Sequence, residues 1–411
     1  MTTTTQTAFT PIGASVHLNR VGQGRHFLQI PGPSNVPDRV LRAIDHPTID
    51  HRGPEFAALG LQILEAIKPV FGTTNPVIIY PGSGTGAWEA AMVNVLSPGD
   101  TVLMVETGQF ATQWKNLATK LHLAPEFIAG DWRTGVNAQD IEARLRQDST
   151  HEVKAVCVVH NETSTGVTSD IAAVRAAIDA ANHPALLMVD TISGLGSIDY
   201  RHDEWGVDVT IAGSQKGMML PPGLGFNAVS DKAIKASQQA TMPNAYWRWD
   251  EIIEANKKGV WPTTPATNLL YGLAEALDML HEEGLAQVYA RHLRHAAATR
   301  LAVNAWGLEV LCTNPDQHSP VVTAVVMPKQ ADGSYYDADA FRKLVLQKYN
   351  MSLGMGLNKL QGWVFRIGHL GHFNDLTLLG TLAGVEMGLA ASGITHQRGG
   401  VQAAIDFLAQ T

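Results

Sequence analysis

The chain has 411 residues, 45% of them hydrophobic, with 30 basic against 38 acidic side chains and a formal net charge of −8. That length exceeds the size at which one core keeps growing, so two domains are expected, and the acidic balance, with no basic run, argues against nucleic acid as a partner. Only two cysteines occur, Cys157 and Cys312, which excludes a disulfide framework or a cysteine-built zinc site and suits a reducing, cytoplasmic setting.

In chain order, residues 1–30 read as an N-terminal arm, polar and Thr-rich at its start, without the charged and apolar regions of a signal peptide. No apolar stretch is long enough to cross a bilayer, so no membrane is expected as partner. From residue 54 apolar positions recur at helical spacing (Phe56, Leu59, Leu61, Ile63, Leu64, Ile67) and the helix is expected to close near Pro69. Extended and helical segments then alternate: Val77–Tyr80 extended, Ala87–Leu96 helical, Thr101–Val105 extended, Gln109–Leu121 helical. The alternation continues with Ala155–His160 extended, Asp170–Ala181 helical and Leu186–Asp190 extended. Alternation at this spacing predicts βαβ units and a mostly parallel sheet with helices on both faces. At Trp261-Pro262-Thr263-Thr264-Pro265 the texture breaks, a helix is expected from Asn268 to His281, and Val310, Val321–Val326 and Val364–Ile367 suggest a smaller α+β domain. The expected division is 31–275 for a large domain and 276–411 for a small one.

Two strand ends carry the chemistry. Leu186-Leu187-Met188-Val189 runs into Asp190, and Val209-Thr210-Ile211-Ala212 runs into Gly213-Ser214-Gln215-Lys216. An acid and a lysine at the carboxyl ends of two strands can face one ligand in the crevice of an α/β sheet. That pairing suits pyridoxal 5′-phosphate, whose aldehyde takes a lysine as a Schiff base and whose pyridinium nitrogen takes a carboxylate. Lys216 precedes an apolar, Gly/Pro-rich stretch, Gly217-Met218-Met219-Leu220-Pro221-Pro222-Gly223, where partial desolvation lowers its pKa. Upstream, Pro81-Gly82-Ser83-Gly84-Thr85-Gly86 stands between a strand and a helix, so its backbone N–H groups, the helix N-terminus and two hydroxyls can hold a phosphate. It matches neither a P-loop nor a dinucleotide fingerprint.

Several segments in order resemble the class V, fold-type I pyridoxal phosphate aminotransferases of the serine–glyoxylate and alanine–glyoxylate kind. They are Pro31-Gly32-Pro33-Ser34-Asn35, Ser83-Gly84-Thr85-Gly86, His160-Asn161-Glu162-Thr163-Ser164-Thr165-Gly166, Val189-Asp190, Gly213-Ser214-Gln215-Lys216, Thr264-Pro265-Ala266-Thr267-Asn268 and Phe365-Arg366-Ile367-Gly368. The resemblance implies a large domain with a mostly parallel seven-stranded sheet, a smaller C-terminal α+β domain, and a homodimer with shared sites. It assigns Lys216 as the cofactor-bearing lysine and proton carrier, Asp190 as partner of the ring nitrogen, and Ile192 and Phe110 as contacts on the ring faces. Thr163 would meet the ring hydroxyl, while Ser83, Gly84, Thr85 and Gln215 would hold the phosphate. Thr264, possible cap of the next helix on a plainer reading, would reach the phosphate from the neighbouring subunit; Arg366 would clamp the substrate carboxylate, with Gly32 beside it. Relatives often carry tryptophan at the Phe110 position and tyrosine where this chain has Thr263.

The implied reaction moves an amino group from serine, or alanine, to glyoxylate, giving glycine and a 2-keto acid; no metal is required. Rivals on the same fold are another donor such as aspartate, and a class V lyase or desulfurase. The latter needs a mobile nucleophilic cysteine, which Cys157 in an apolar run and Cys312 after Leu308–Leu311 do not suit. A ligand-binding regulator without turnover and a nicotinamide-dependent dehydrogenase are further alternatives. Arg248, between Trp247 and Trp249, is a solvated or interface residue by default, and a second carboxylate binder only if it reaches an active site.

Overall fold

The structure is a computed structural model that describes residues 24–410. The strands, in chain order, are β1 (Phe27–Gln29), β2 (Val77–Gly82), β3 (Thr101–Val105), β4 (Ala124–Ile128), β5 (Val153–Val159), β6 (Asn161–Glu162), β7 (Val167–Thr168), β8 (Leu186–Asp190), β9 (Val209–Gly213), β10 (Gly223–Val229), β11 (Glu309–Val310), β12 (Val322–Val326), β13 (Met351–Met355) and β14 (Val364–Gly368). Seven of them form one sheet in the order β2-β10-β9-β8-β5-β3-β4. All neighbours in it are parallel except β10, which runs antiparallel to both β2 and β9. The central strands β8 and β9 are buried along their whole length, as expected when both faces of a parallel sheet are covered.

A second sheet of five strands, β1-β13-β14-β12-β11, is antiparallel apart from the β1–β13 pair. Its core is a separate apolar cluster built from residues such as Trp306, Phe341, Phe365, Leu382 and Leu408. The expected arm therefore contributes residues 27–29 to this sheet, and its first 23 residues lie outside the described part of the chain.

The apolar periodicity predicts much of the large sheet and its helices to within a few residues; it gives no reading for β4 or the helix Ala138–Gln147, and three further departures stand out. The helix Pro54–Ala66 is followed by a further turn, Lys68–Phe71, with Pro69 inside it; proline in a first turn lacks only an N–H that has no helical partner there, so the chain is not broken. Strand β10 follows the Gly/Pro-rich stretch, and Gly223, Gly225 and Asn227 interrupt the apolar run that marks the other buried strands. The helix Leu285–Ala305 was hidden because buried histidines, His292 and His295, replace aliphatic residues on its inner face.

Candidate active site

Strand β8 ends on Asp190, and in its parallel partner β9 Ile211 lies opposite that acid. The chain leaves β9 at Gly213 and reaches Lys216 within one turn, so acid and amine meet at the carboxyl edge of the sheet. One pocket is lined by Ser83, Gly84, Thr85, Phe110, Thr163, Asp190, Ile192, Gln215 and Lys216, together with Trp88, Asn161 and Ser193. Nine of the anticipated positions thus converge. Gly32 backs onto the lysine from outside this lining, Arg366 sits behind Thr163, and Thr264 stands apart.

The Lys216 side chain is buried and its Nζ donates to the Pro31 carbonyl at 2.9 Å. Burial, reinforced by the positive field of Arg366 and opposed by Asp190, lowers its pKa from 10.5 to about 8. The slot it occupies exists because position 32 has no side chain: a Cβ there would lie 2.2 Å from Nζ, and the backbone holds φ +109°, a conformation that favours glycine.

Asp190 accepts from the Ile192 backbone N–H at 2.7 Å on Oδ1 and from the Trp88 indole Nε1 at 3.1 Å on Oδ2. Burial pushes its pKa up to about 7, with Glu162 adding and these hydrogen bonds and Lys216 opposing. Its proton therefore titrates in the neutral range.

Ser83 is the N-cap of the helix Gly84–Val95 and spends no side-chain bond on capping it. Gly84, Thr85 and Gly86 are consequently the first helical turn and not a free loop, and their N–H groups lack partners within the helix. A Cβ on Gly84 would collide with Ile192 Cδ1 at 2.4 Å, so the glycine lets Ile192 close down on the helix start. Beside it, the buried Gln215 Oε1 has no hydrogen-bond partner and lies near the Gly213–Gly84 contact. Rotating that amide presents an N–H instead. Trp247 packs over the outside of the turn, its ring 3.6 Å and 3.5 Å from where side chains on Gly82 and Gly86 would begin.

Phe110 lies in the first turn of the helix Gln109–Lys120 and is half-buried. Its backbone N–H and that of Ala111 donate to the Glu162 carboxylate, each at 3.1 Å, and Ser164 Oγ donates to the same group at 2.6 Å. A buried acid thus caps the helix that presents Phe110. Thr163, next in sequence, is buried in the pocket wall, and its carbonyl accepts from Arg366 Nη1 at 2.9 Å. Arg366 also donates through Nε to the Met355 carbonyl at 2.7 Å. It is 6% exposed and, among the described residues, has no carboxylate within ion-pair distance. Burial accordingly draws its pKa down to about 10, opposed by Glu162. A buried guanidinium held only by carbonyls needs an anion.

Thr264 is exposed in the segment before the helix Thr267–Glu283 and does not reach the pocket of its own chain. Nor does it or Thr263 cap that helix: the N-cap is Ala266, without a side-chain bond. Arg248 is exposed and pairs with Asp250 and, at 3.0 Å, with Glu251, away from the pocket. Sequence reasoning missed Trp88, Asn161 and Ser193; the signal for Trp88 was its place one turn beyond Gly84 on the same helix face. Cys157 and Cys312 are both buried, and burial raises both thiol pKa values. Neither is a poised thiolate.

The residues fit pyridoxal phosphate: a buried acid for a ring nitrogen, a depressed amine for an aldehyde, apolar side chains for the ring, and a helix start with an orphaned amide for the phosphate. The comparisons agree. The class-V aminotransferase family model matches residues 26–352. An Arabidopsis thaliana protein named serine–glyoxylate aminotransferase is 46% identical over 390 residues, covering 94% of this chain and 96% of its own. A Paracoccus denitrificans protein named L-aspartate–glyoxylate aminotransferase is 43% identical, covering 93% and 96%. The crystal structure of pyridoxamine–pyruvate aminotransferase from Mesorhizobium loti superposes with a TM-score of 0.87 at 25% identity, covering 94% and 98%. The fold is that of the fold-type I enzymes, and the chain belongs to the class-V aminotransferases, with pyridoxal 5′-phosphate as its cofactor.

Proposed function

We propose that this enzyme transfers the amino group of a small amino acid, serine foremost and alanine next, to glyoxylate, releasing glycine and a 2-keto acid. The name and 46% identity of the Arabidopsis relative support the substrates. The observation that carries the reading is Arg366, a buried cation near Lys216 that, among the described residues, has no carboxylate within ion-pair distance. Its Nε and one Nη1 hydrogen are occupied by carbonyls, which leaves the Nη1–Nη2 edge to take an amino-acid carboxylate bidentately.

When bound, pyridoxal phosphate supplies the carbonyl carbon to which amines attach and a ring that withdraws electrons from the substrate Cα. Lys216 would hold the cofactor in the resting enzyme and, once displaced, its neutral amine would carry the proton from the substrate Cα to the cofactor carbon C4′. Asp190 keeps the ring nitrogen protonated. Phe110 and Ile192 would exclude water from the ring faces, Thr163 would meet the ring hydroxyl, and Ser83, Gly84, Thr85 and Gln215 would hold the phosphate. Gly32 leaves Lys216 its room.

We further propose a homodimer in which Thr264 completes the neighbouring subunit's phosphate site, its exposure outside its own pocket supporting that role. The large domain is assigned to 31–275 and the small one to 276–411, with cytoplasmic residence, which the free cysteines suit. The Paracoccus relative favours aspartate as a second donor, although Arg248, engaged with acids outside the pocket, offers no second carboxylate site in its own chain. A panel of serine, alanine and aspartate against glyoxylate, scored by glycine formed, decides. Inactivity with all three would overturn the substrate reading.

A further inference from the structure

The helix that begins at the phosphate turn also touches the acid at the other end of the pocket. Trp88 lies one turn past Gly84, and its indole N–H ends on Asp190 Oδ2 at 3.1 Å. Among the described residues Trp88 is the one side chain that donates to this carboxylate; the other donor is the Ile192 backbone. Trp88 has no freedom to turn away. It is 2% exposed, and its ring stacks on Trp114 with centroids 5.8 Å apart and planes inclined by 10°. A buried indole N–H needs an acceptor, and the one it has here is the acid of the pocket.

We propose that Trp88 is a positioning residue for the cofactor ring, holding the Asp190 carboxylate charged and aimed at the ring nitrogen. This rests on the reading of Asp190 as partner of that nitrogen. The groups around Asp190 pull in opposite directions. Glu162 on β6 disfavours its charge, Lys216 favours it, and the Tyr200 phenol, bonded to Thr210, feels the same carboxylate. Two N–H donors oppose the effect of burial, and they occupy one lone pair on each oxygen. The remaining lone pairs then receive the ring N–H in a direction fixed by the helix that also grips the phosphate. One rigid element thereby sets the distance between the two anchors of the cofactor.

The test uses pyridoxamine 5′-phosphate, which carries the ring and phosphate but no aldehyde for Lys216. Its dissociation constant is measured by fluorescence titration across the pH range, without substrate, for wild type, Trp88→Phe and Asp190→Asn. The wild-type affinity falls as pH drops through the Asp190 pKa, because a protonated acid cannot hold the ring N–H. Removing a donor to a charged acceptor is worth about tenfold, so Trp88→Phe weakens binding by about tenfold at neutral pH and moves this midpoint up by about one pH unit. A loss of packing alone leaves the midpoint in place, and that result would overturn the role. Benzothienylalanine at position 88, which keeps the ring shape without the N–H, gives the same shift should the phenylalanine variant fold poorly. Asp190→Asn abolishes the acid limb; a wild-type profile there would remove the Asp190 reading itself and this proposal with it.

Discussion

Arg366 has given up the solvent that normally surrounds a guanidinium, and two main-chain carbonyls replace only part of it. Its remaining N–H groups gain most from an incoming carboxylate, so Arg366→Ala should raise KM for the amino donor by roughly a hundredfold while pyridoxamine phosphate still binds. Steady-state kinetics beside a cofactor titration check this; an unchanged KM would refute the clamp. At Lys216 the depressed pKa sets the sign of another dependence. Half of the amine is neutral at about pH 8 instead of 10.5, so the loading rate of cofactor-free enzyme should climb with pH and level off above about 8. Lys216→Ala should show neither the cofactor's visible absorption after dialysis nor transamination. Lys216 and Asp190 were legible because short apolar strands ended on them, a pattern that fixes side chains at a sheet edge. Trp88 was not, since an aromatic within a buried helix looks the same whether or not its N–H has a partner.

Among the elements, the helix Gln109–Lys120 depends on an acid from elsewhere in the chain. Glu162 receives the free N–H groups of its first turn, and the approach is so close that a Cβ on Gly108 would lie 2.4 Å from Ser164 Oγ. Glu162→Gln turns one acceptor into a donor facing those N–H groups. The expected cost is about 1–3 kcal/mol, seen as a lower denaturant midpoint, with a looser Phe110 and weaker cofactor binding. A midpoint equal to wild type would show that the cap contributes nothing. This arrangement was invisible in sequence because Glu162 and Gly108 are brought together only by neighbouring strand ends. Helix and strand periods carried the large sheet well, from Thr101–Val105 to Leu186–Asp190. They failed where glycine and asparagine interrupt the apolar run, as in β10, or where histidine stands in the core, as in the helix Leu285–Ala305.

The whole molecule keeps several histidines away from water. Burial lowers the pKa values of His160 and His202 to about 4 and of His292 to about 3. In the unfolded chain these groups take up protons below about 6.5, while the folded protein keeps them neutral, so stability is intact above that value and is lost as pH falls towards 4. Calorimetry should therefore show Tm falling steadily over this window as several kcal/mol of stability are lost in total; a flat profile would contradict their burial. Assembly is open to a complementation test. Lys216→Ala and Thr264→Ala subunits, each impaired alone, should regain one competent site when refolded together, because the hybrid pairs an intact lysine with the partner's intact threonine. No gain on mixing would refute the shared site. Last, the ties on Arg366 are peptide oxygens, dipoles that neither gain nor lose protons, and the group itself stays cationic until about pH 10. If Arg366 is the carboxylate clamp proposed above, recognition of the amino acid's acid end would persist through the neutral-range titrations of Lys216 and Asp190, and acidity would tune the speed of turnover without altering which end of the molecule is seized.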